Sequence, residues 1–213
     1  MTIHASGEFW ERALKDKNPE SVDFSQSRPH DDLRTFCDIY LKRRARVLDL
    51  GCGEGRNAQF LSEEGCEVHG LDISPSAVVF CRERLKRFNL NGTFRKGEMT
   101  AIPYEENYFD GIVCVAALDH VTISGATEAL REMRRVKKAD AAMLITFDPV
   151  DRSGELMGEA EEQEDGSLYF LSGEQKGMLF RSYSDNEIRN LLGVENIVSF
   201  EHSADGDRVI VSR

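Results

Sequence analysis

The stretch Arg46-Val-Leu-Asp-Leu-Gly-Cys-Gly-Glu-Gly-Arg-Asn57 decides the fold. Its first five residues have the short, apolar pattern of a buried strand. Gly51, Gly53 and Gly55 follow, and then Ala58, Phe60 and Leu61 begin a helical spacing that runs to Gly65, a residue suited to the position just past a helix end. Glycines between a strand and a helix let the backbone turn tightly and approach a ligand closely. The helix that follows aims its free N–H groups at anionic ligand atoms.

Reading outward from this unit, the same rhythm repeats. Residues 67–71 form a second strand. Ser74 then stands as an N-cap with Pro75 in the first helical position, and Val78, Cys81, Leu85 and Phe88 supply the apolar stripe of the helix. Asn91-Gly92 reads as a turn and residues 93–96 as a third strand. Residues 110–116 have the composition of a strand buried on both faces. A helix over 127–138 turns Leu130, Met133 and Val136 inward, and residues 141–147 form a fifth strand. Ser184-Asp-Asn-Glu187 is a capping box that starts a helix through Ile188, Leu191 and Leu192 up to Gly193. Residues 197–201 and 208–211 close the chain as an antiparallel pair. Upstream, two aspartates open a helix over 31–44 that ends on basic residues. Strands alternating with helices imply a parallel sheet covered on both faces. The expected fold is therefore α/β, a doubly wound seven-stranded, mostly parallel sheet with one antiparallel strand near the C-terminus and helices on both faces. It divides into a helical N-terminal segment (1–44), a core (45–150), an insertion (151–183) and a C-terminal helix with strands (184–213). The insertion holds five glycines and the acidic run 159–165, and it reads as a loop or lid with a solvated tip.

Bulk properties narrow the function. The chain of 213 residues fits one domain. Its longest apolar run, residues 112–118, is far shorter than the about 20 residues that cross a bilayer. The N-terminus lacks the basic and apolar sequence of a secretory signal. A net charge of −11 disfavours a protein that coats nucleic acid. The basic runs 42–46, 82–87 and 131–138 read as solvated helix faces. Five cysteines without a Cys-x-x-Cys pair signal no metal cage and fit reduced thiols in the cytoplasm.

In a doubly wound sheet the ligand belongs at the carboxyl ends of the strands, where strand order reverses. The second strand ends at Asp72, 21 residues after Gly51. A carboxylate there can accept from both ribose hydroxyls of an adenosine. Dinucleotide sites want Gly-x-Gly-x-x-Gly, and the third glycine position here is Arg56. That argues against a nicotinamide oxidoreductase and for a nucleoside with a shorter, zwitterionic tail.

These segments resemble the class I S-adenosylmethionine-dependent methyltransferases. Val47 to Asn57 resembles that family's first motif, and Val68-His-Gly-Leu-Asp-Ile-Ser74 its acidic ribose loop. Lys96-Gly-Glu-Met-Thr-Ala-Ile-Pro-Tyr104 and Tyr108-Phe-Asp-Gly-Ile-Val113 resemble the adenine loop and fourth strand. Leu130-Arg-Glu-Met-Arg-Arg-Val-Lys137 resembles the helix before the fifth strand. The resemblance covers about residues 45–150. It implies S-adenosyl-L-methionine as cofactor, with S-adenosyl-L-homocysteine as product, and it implies a site made of Asp49, Gly51, Cys52, Gly53, Arg56, Asn57, Asp72, Ile73, Glu98, Met99, Ala116 and Ala117. Within it Asp49, Gly51 and Gly53 would hold the methionine part, with Asp49 nearest the ammonium. Asp72 would take the ribose hydroxyls and Ile73 would lie against the adenine. Glu98 would accept from the adenine amino group, where family members usually have Asp, and the Met99 backbone would pair with the ring. Ala116, Ala117 and Leu118 would floor the pocket. Ala139-Asp-Ala141 replaces the family's frequent Pro-Gly-Gly, which changes a turn.

Beyond the cofactor, His120 and Asp119 follow the fourth strand, where a general base or a substrate hydrogen-bonder stands. The alternative for both is a role in shaping the pocket. Phe9 and Trp10 either fold over the cofactor or anchor an N-terminal helix. No metal site is expected. The expected acceptor is a small molecule, because no appended recognition module is evident. RNA or protein methylation, and a silent cofactor-binding subunit, are the alternatives.

Overall fold

The computed structural model describes residues 4–149, 156 and 158–213. Its strands are β1 (Arg46–Leu50), β2 (Glu67–Asp72), β3 (Thr93–Lys96), β4 (Phe109–Val115), β5 (Lys137–Phe147), β6 (Ala160–Glu162), β7 (Leu168–Phe170), β8 (Leu179–Phe180), β9 (Ile197–His202) and β10 (Arg208–Ser212). Its helices are α1 (His4–Lys15), α2 (Leu33–Tyr40), α3 (Arg56–Glu63), α4 (Pro75–Arg87), α5 (Ile123–Val136) and α6 (Asp185–Leu192). The main sheet has the order β3-β2-β1-β4-β5-β10-β9. β1 pairs in parallel with β2 and β4, while β10 runs antiparallel to both β5 and β9. The strand order reverses between β1 and β4, and this crevice is where such a sheet takes its ligand.

Alternation along each strand splits the core in two, because successive side chains leave opposite faces of a strand. Leu48, Leu50, Ile112 and Cys114 face one side, where Leu130 and Met133 of α5 and Ile188 and Leu192 of α6 cover them. Val47 and Val113 face the other, under Leu33 and Phe36 of α2, Phe60 and Leu61 of α3, and Val78 and Leu85 of α4. The fold expected from the sequence is the fold observed.

Local caps follow the expected chemistry at two helices. The Ser74 side chain accepts from Ala77 N–H at the start of α4, and Ser184 with Glu187 closes a full capping box on α6. Three element boundaries lie four residues from the reading, and one expected turn lies elsewhere. α2 stops at Tyr40, four residues early, and the chain turns through Arg44, whose φ is +65°. α5 starts at Ile123 because Thr122 accepts from Gly125 N–H and so sets the cap earlier. β5 begins at Lys137, directly after α5. The turn expected at Asn91-Gly92 instead lies at Phe88 and Asn89, where Asn89 takes φ +54°.

The insertion read as a loop carries a three-stranded antiparallel sheet, β6-β7-β8. Residues 150–155 and 157 lie outside the described residues. The acidic run is not wholly a solvated tip. Asp165 accepts from Ile123 N–H at 2.8 Å and so ties this small sheet to the start of α5.

One basic run also departs from the solvated reading. Arg84 is 1 % exposed. Its guanidinium donates to Gln59 Oε1 (2.8 Å) and to the carbonyls of Glu54 (3.2 Å), Phe24 (2.8 Å) and Ser27 (2.9 Å). It thereby clamps the loop after β1 to the 24–27 segment. Arg84→Met removes the donor from the carbonyls of Glu54 and Ser27 and from the Gln59 amide oxygen, at a cost of about 3 kcal/mol or more. Urea unfolding should show a lower midpoint with an unchanged m value.

Candidate active site

The carboxyl ends of β1, β2 and β4 open into a cavity. The glycine loop forms one wall. Gly51 sits at φ +73°, and a Cβ there would come within 2.8 Å of Ala117 Cβ. Gly53 sits at φ +51°, and a Cβ there would meet nothing within 4 Å. The backbone is thus bare where it faces the cavity, so a ligand can lie against it.

Asp72 organises that loop. Its carboxylate accepts from Gly53 N–H at 2.9 Å and from Ser74 N–H at 2.9 Å, which joins the glycine loop to the start of α4. Burial raises its pKa, and the N–H donors of Ser74, Gly53 and Ile73 oppose that rise. Asp49 is 1 % exposed and lies beneath the loop rather than on the cavity wall. Gly55 caps α3 without a side chain, and Asp49 supplies the missing acceptor by taking the N–H of Ala58. Its other oxygen, Oδ2, has no hydrogen-bond partner. Burial, with Asp72 nearby, pushes the Asp49 carboxyl up to about 7.

The sequence-derived residues divide cleanly. Gly51, Gly53, Asp72, Ile73, Glu98, Met99, Ala116, Ala117 and His120 line the cavity together. Asp49, Cys52, Arg56, Asn57 and Asp119 do not. Cys52 is buried behind the loop with its sulfur 3.5 Å from that of Cys81. Arg56 is exposed on the first turn of α3. Asn57 is buried and accepts from His30 N–H at 3.0 Å, which holds the approach to α2. Asp119 is fully buried and turned toward Asp148, whose N–H it accepts at 3.1 Å. Burial and the neighbouring Asp148 push its carboxyl well above the usual range. Asp119 therefore holds the end of β5, and of the two candidate bases only His120 faces the cavity.

Ala116 follows β4 with φ +46°, a left-handed conformation rare outside glycine. Its N–H donates to Thr146 Oγ1 at 3.0 Å. Backbone strain of this kind concentrates at functional sites.

Sequence reasoning missed most of the roof. Leu14, Ser74, Ala77 and Val121 also line the cavity. Trp10 and Leu14 stand one helical turn apart on α1, and that spacing was the available signal. Glu11 fastens α1 across the site. It accepts from Ser74 Oγ (2.8 Å), Ser76 N–H (3.0 Å) and Ser76 Oγ (2.7 Å), and these hydrogen bonds hold its pKa down against the effect of burial. Trp10 lines the cavity and also packs, as its anchoring reading expects, against the apolar cluster of the insertion. Phe9 packs with Phe170, Met178 and Phe180 of the insertion.

Comparison with known proteins agrees with this fold. Residues 47–140 match the methyltransferase domain family. A solved protein of Pyrococcus horikoshii OT3 superposes with a TM-score of 0.76 over 96% of this chain and 97% of its own, at 20% identity, which shows the shared fold. The ubiquinone/menaquinone biosynthesis C-methyltransferase of Edwardsiella ictaluri is 34% identical over 111 residues, 49% of this chain and 43% of that one. The ubiquinone biosynthesis O-methyltransferase of Nitrosospira multiformis is 28% identical over 103 residues, 46% of this chain and 43% of that one. The chain spans less than half the length of either relative. Residues 47–140 are thus similar to a methyltransferase domain, and the fold is that of the class I S-adenosylmethionine-dependent methyltransferases. The cofactor of that family is S-adenosyl-L-methionine.

The site suits this group on its own terms. The unpartnered oxygen of Asp49, beneath the glycine loop, is an acceptor that an amino acid ammonium reaching it would satisfy. The open face of Gly53 leaves room for a ligand against the backbone. When bound, the cofactor supplies an electrophilic methyl on a sulfonium leaving group. The chain's own share is alignment and exclusion of water. Among the described residues no helix is long and apolar enough to cross a membrane, and no group of ligating side chains could hold a metal ion.

Proposed function

We propose that this protein transfers a methyl group from S-adenosyl-L-methionine to a small-molecule acceptor. The observation that carries the proposal is the cavity at the reversal of strand order, floored by the glycine loop and Ala117 and roofed by the chain's own Trp10 and Leu14. A site covered by its own helix suits a compact acceptor better than an RNA strand or a protein tail. Asp49 takes the ammonium and Asp72 the ribose hydroxyls. Ile73 lies against the adenine, Glu98 accepts from its amino group, and the Met99 backbone pairs with the ring. The two relatives, of ubiquinone and of ubiquinone/menaquinone biosynthesis, support a small-molecule acceptor, while one is an O- and the other a C-methyltransferase.

Calorimetry with S-adenosyl-L-methionine and S-adenosyl-L-homocysteine, followed by an acceptor screen with labelled methyl, tests this. Micromolar cofactor binding and label in a small molecule are expected. Label only in RNA or protein would overturn the acceptor class. Binding without transfer to any acceptor would make the chain a silent cofactor-binding subunit. Absence of cofactor binding would overturn the reading altogether.

A further inference from the structure

We propose that His120 is the general base for an acceptor bearing an aromatic hydroxyl. The inference rests on the methyltransferase reading above and names the substrate class of that site. The ring's protonation follows from one contact. His120 Nδ1 lies 3.1 Å from the carbonyl oxygen of Leu179 in β8. A carbonyl can only accept, so Nδ1 carries the hydrogen. Nε2 then holds the basic lone pair whenever the ring is neutral. The small sheet of the insertion therefore sets the tautomer of a residue on the cavity wall.

The position of His120 suits the reacting end of the site. Its N–H donates to the carbonyl of Ala117 at 3.2 Å, and Ala117 packs directly on Gly51. His120 thus borders the glycine-loop part of the cavity, where the methionine portion of the cofactor belongs. Its ring meets Trp10 edge-to-face with centroids 4.7 Å apart and lies 5.7 Å from Phe180. This aromatic frame favours a flat acceptor, because ring pairs prefer edge-to-face and offset contacts.

Charge narrows the class further. Among the described lining residues the charged side chains are the carboxylates of Asp72 and Glu98, with no lysine or arginine. The chain offers an anionic acceptor two carboxylates and no lysine or arginine as counter-ion. A phenolic hydroxyl enters neutral, since its pKa is about 10. It must then lose its proton as it reacts. In that step the O–H proton passes to Nε2, an oxygen electron pair forms the bond to the methyl carbon, and the methyl–sulfur pair stays on sulfur. The products are the aryl methyl ether, S-adenosyl-L-homocysteine and protonated His120, which returns its proton to solvent.

The test has a readout that needs no turnover. With S-adenosyl-L-homocysteine bound, 4-nitrophenol added to the wild type should show more phenolate absorbance than free nitrophenol at the same pH. His120→Gln should abolish the excess while calorimetry shows S-adenosyl-L-homocysteine affinity within about threefold of wild type. In turnover, His120→Ala should lose about 10²- to 10⁴-fold in kcat with weakly acidic phenols and far less with acidic ones, and added imidazole should restore activity. An equal loss across all phenols, or no loss, would overturn the role of His120. A wild type that binds cofactor but methylates amines or thiols and no phenol would overturn the acceptor class. A wild type that binds no cofactor would remove the methyltransferase reading itself.

Discussion

Asp72→Ala should weaken binding of S-adenosyl-L-homocysteine by about 100-fold or more, measured by calorimetry, while the thermal midpoint moves by only a few degrees. Two effects add. The first is loss of the acceptor for the ribose hydroxyls, where hydrogen bonds to a charged group contribute about 1.5–3 kcal/mol each. Two such bonds amount to about two or more decades in Kd. The second is loss of loop order, because the same carboxylate holds Gly53 N–H and Ser74 N–H. Asp72→Asn should not rescue binding. An amide offers one acceptor oxygen to two converging N–H groups and turns its own donors toward the other. Stability should suffer less than affinity, since burial already raises the Asp72 pKa and so makes its charge costly in the free protein. Affinity within fivefold of wild type for Asp72→Ala would remove this residue from the cofactor site.

How much of this was legible in the sequence depends on the range of the forces involved. β1, the glycine loop and α3 were readable because each step is local: an apolar run, glycines at positive φ, then a helical period. Ser74 with Pro75, and the capping box at Ser184, are equally local. The small sheet β6-β7-β8 was not legible. Its strands are two or three residues long, too short for a period of two to register, and they hold together through contacts with Asp119, His120 and α5. Asp119 and His120 looked equivalent as neighbours after β4. They lie on one turn of 3₁₀ helix, where adjacent side chains point about 120° apart. One can face the cavity only if the other faces the core, and no local signal says which. Arg84 looked like its solvated neighbours for a similar reason, because the carbonyls that receive it come from residues 24, 27 and 54.

Cofactor binding should release a proton below pH 7, and Asp49 is its source. In the free protein burial holds the Asp49 carboxyl at about 7 against a usual 3.8. A cationic donor at the unpartnered Oδ2 favours the ionised form, so binding drives the proton off. At pH 6, calorimetry in two buffers of different ionisation enthalpy should give apparent enthalpies that differ by about one proton's worth, and Kd should strengthen nearly tenfold per unit as pH rises toward 7. The same group sets the free protein's pH dependence. Its folded pKa is raised, so its contribution to stability is complete below about pH 4 and is lost as pH rises through about 7, a change of about 4 kcal/mol. Asp119 and Asp72, whose pKa values are also raised by burial, act in the same direction. The free protein should therefore unfold at lower urea concentration at pH 8 than at pH 5. Asp49→Asn keeps an acceptor for the N–H of Ala58 and carries no charge. That variant should be more stable than wild type at pH 8, bind cofactor far more weakly, and show no buffer dependence of its binding enthalpy. A buffer-independent enthalpy in the wild type would place the charge that receives the cofactor's ammonium somewhere other than Asp49.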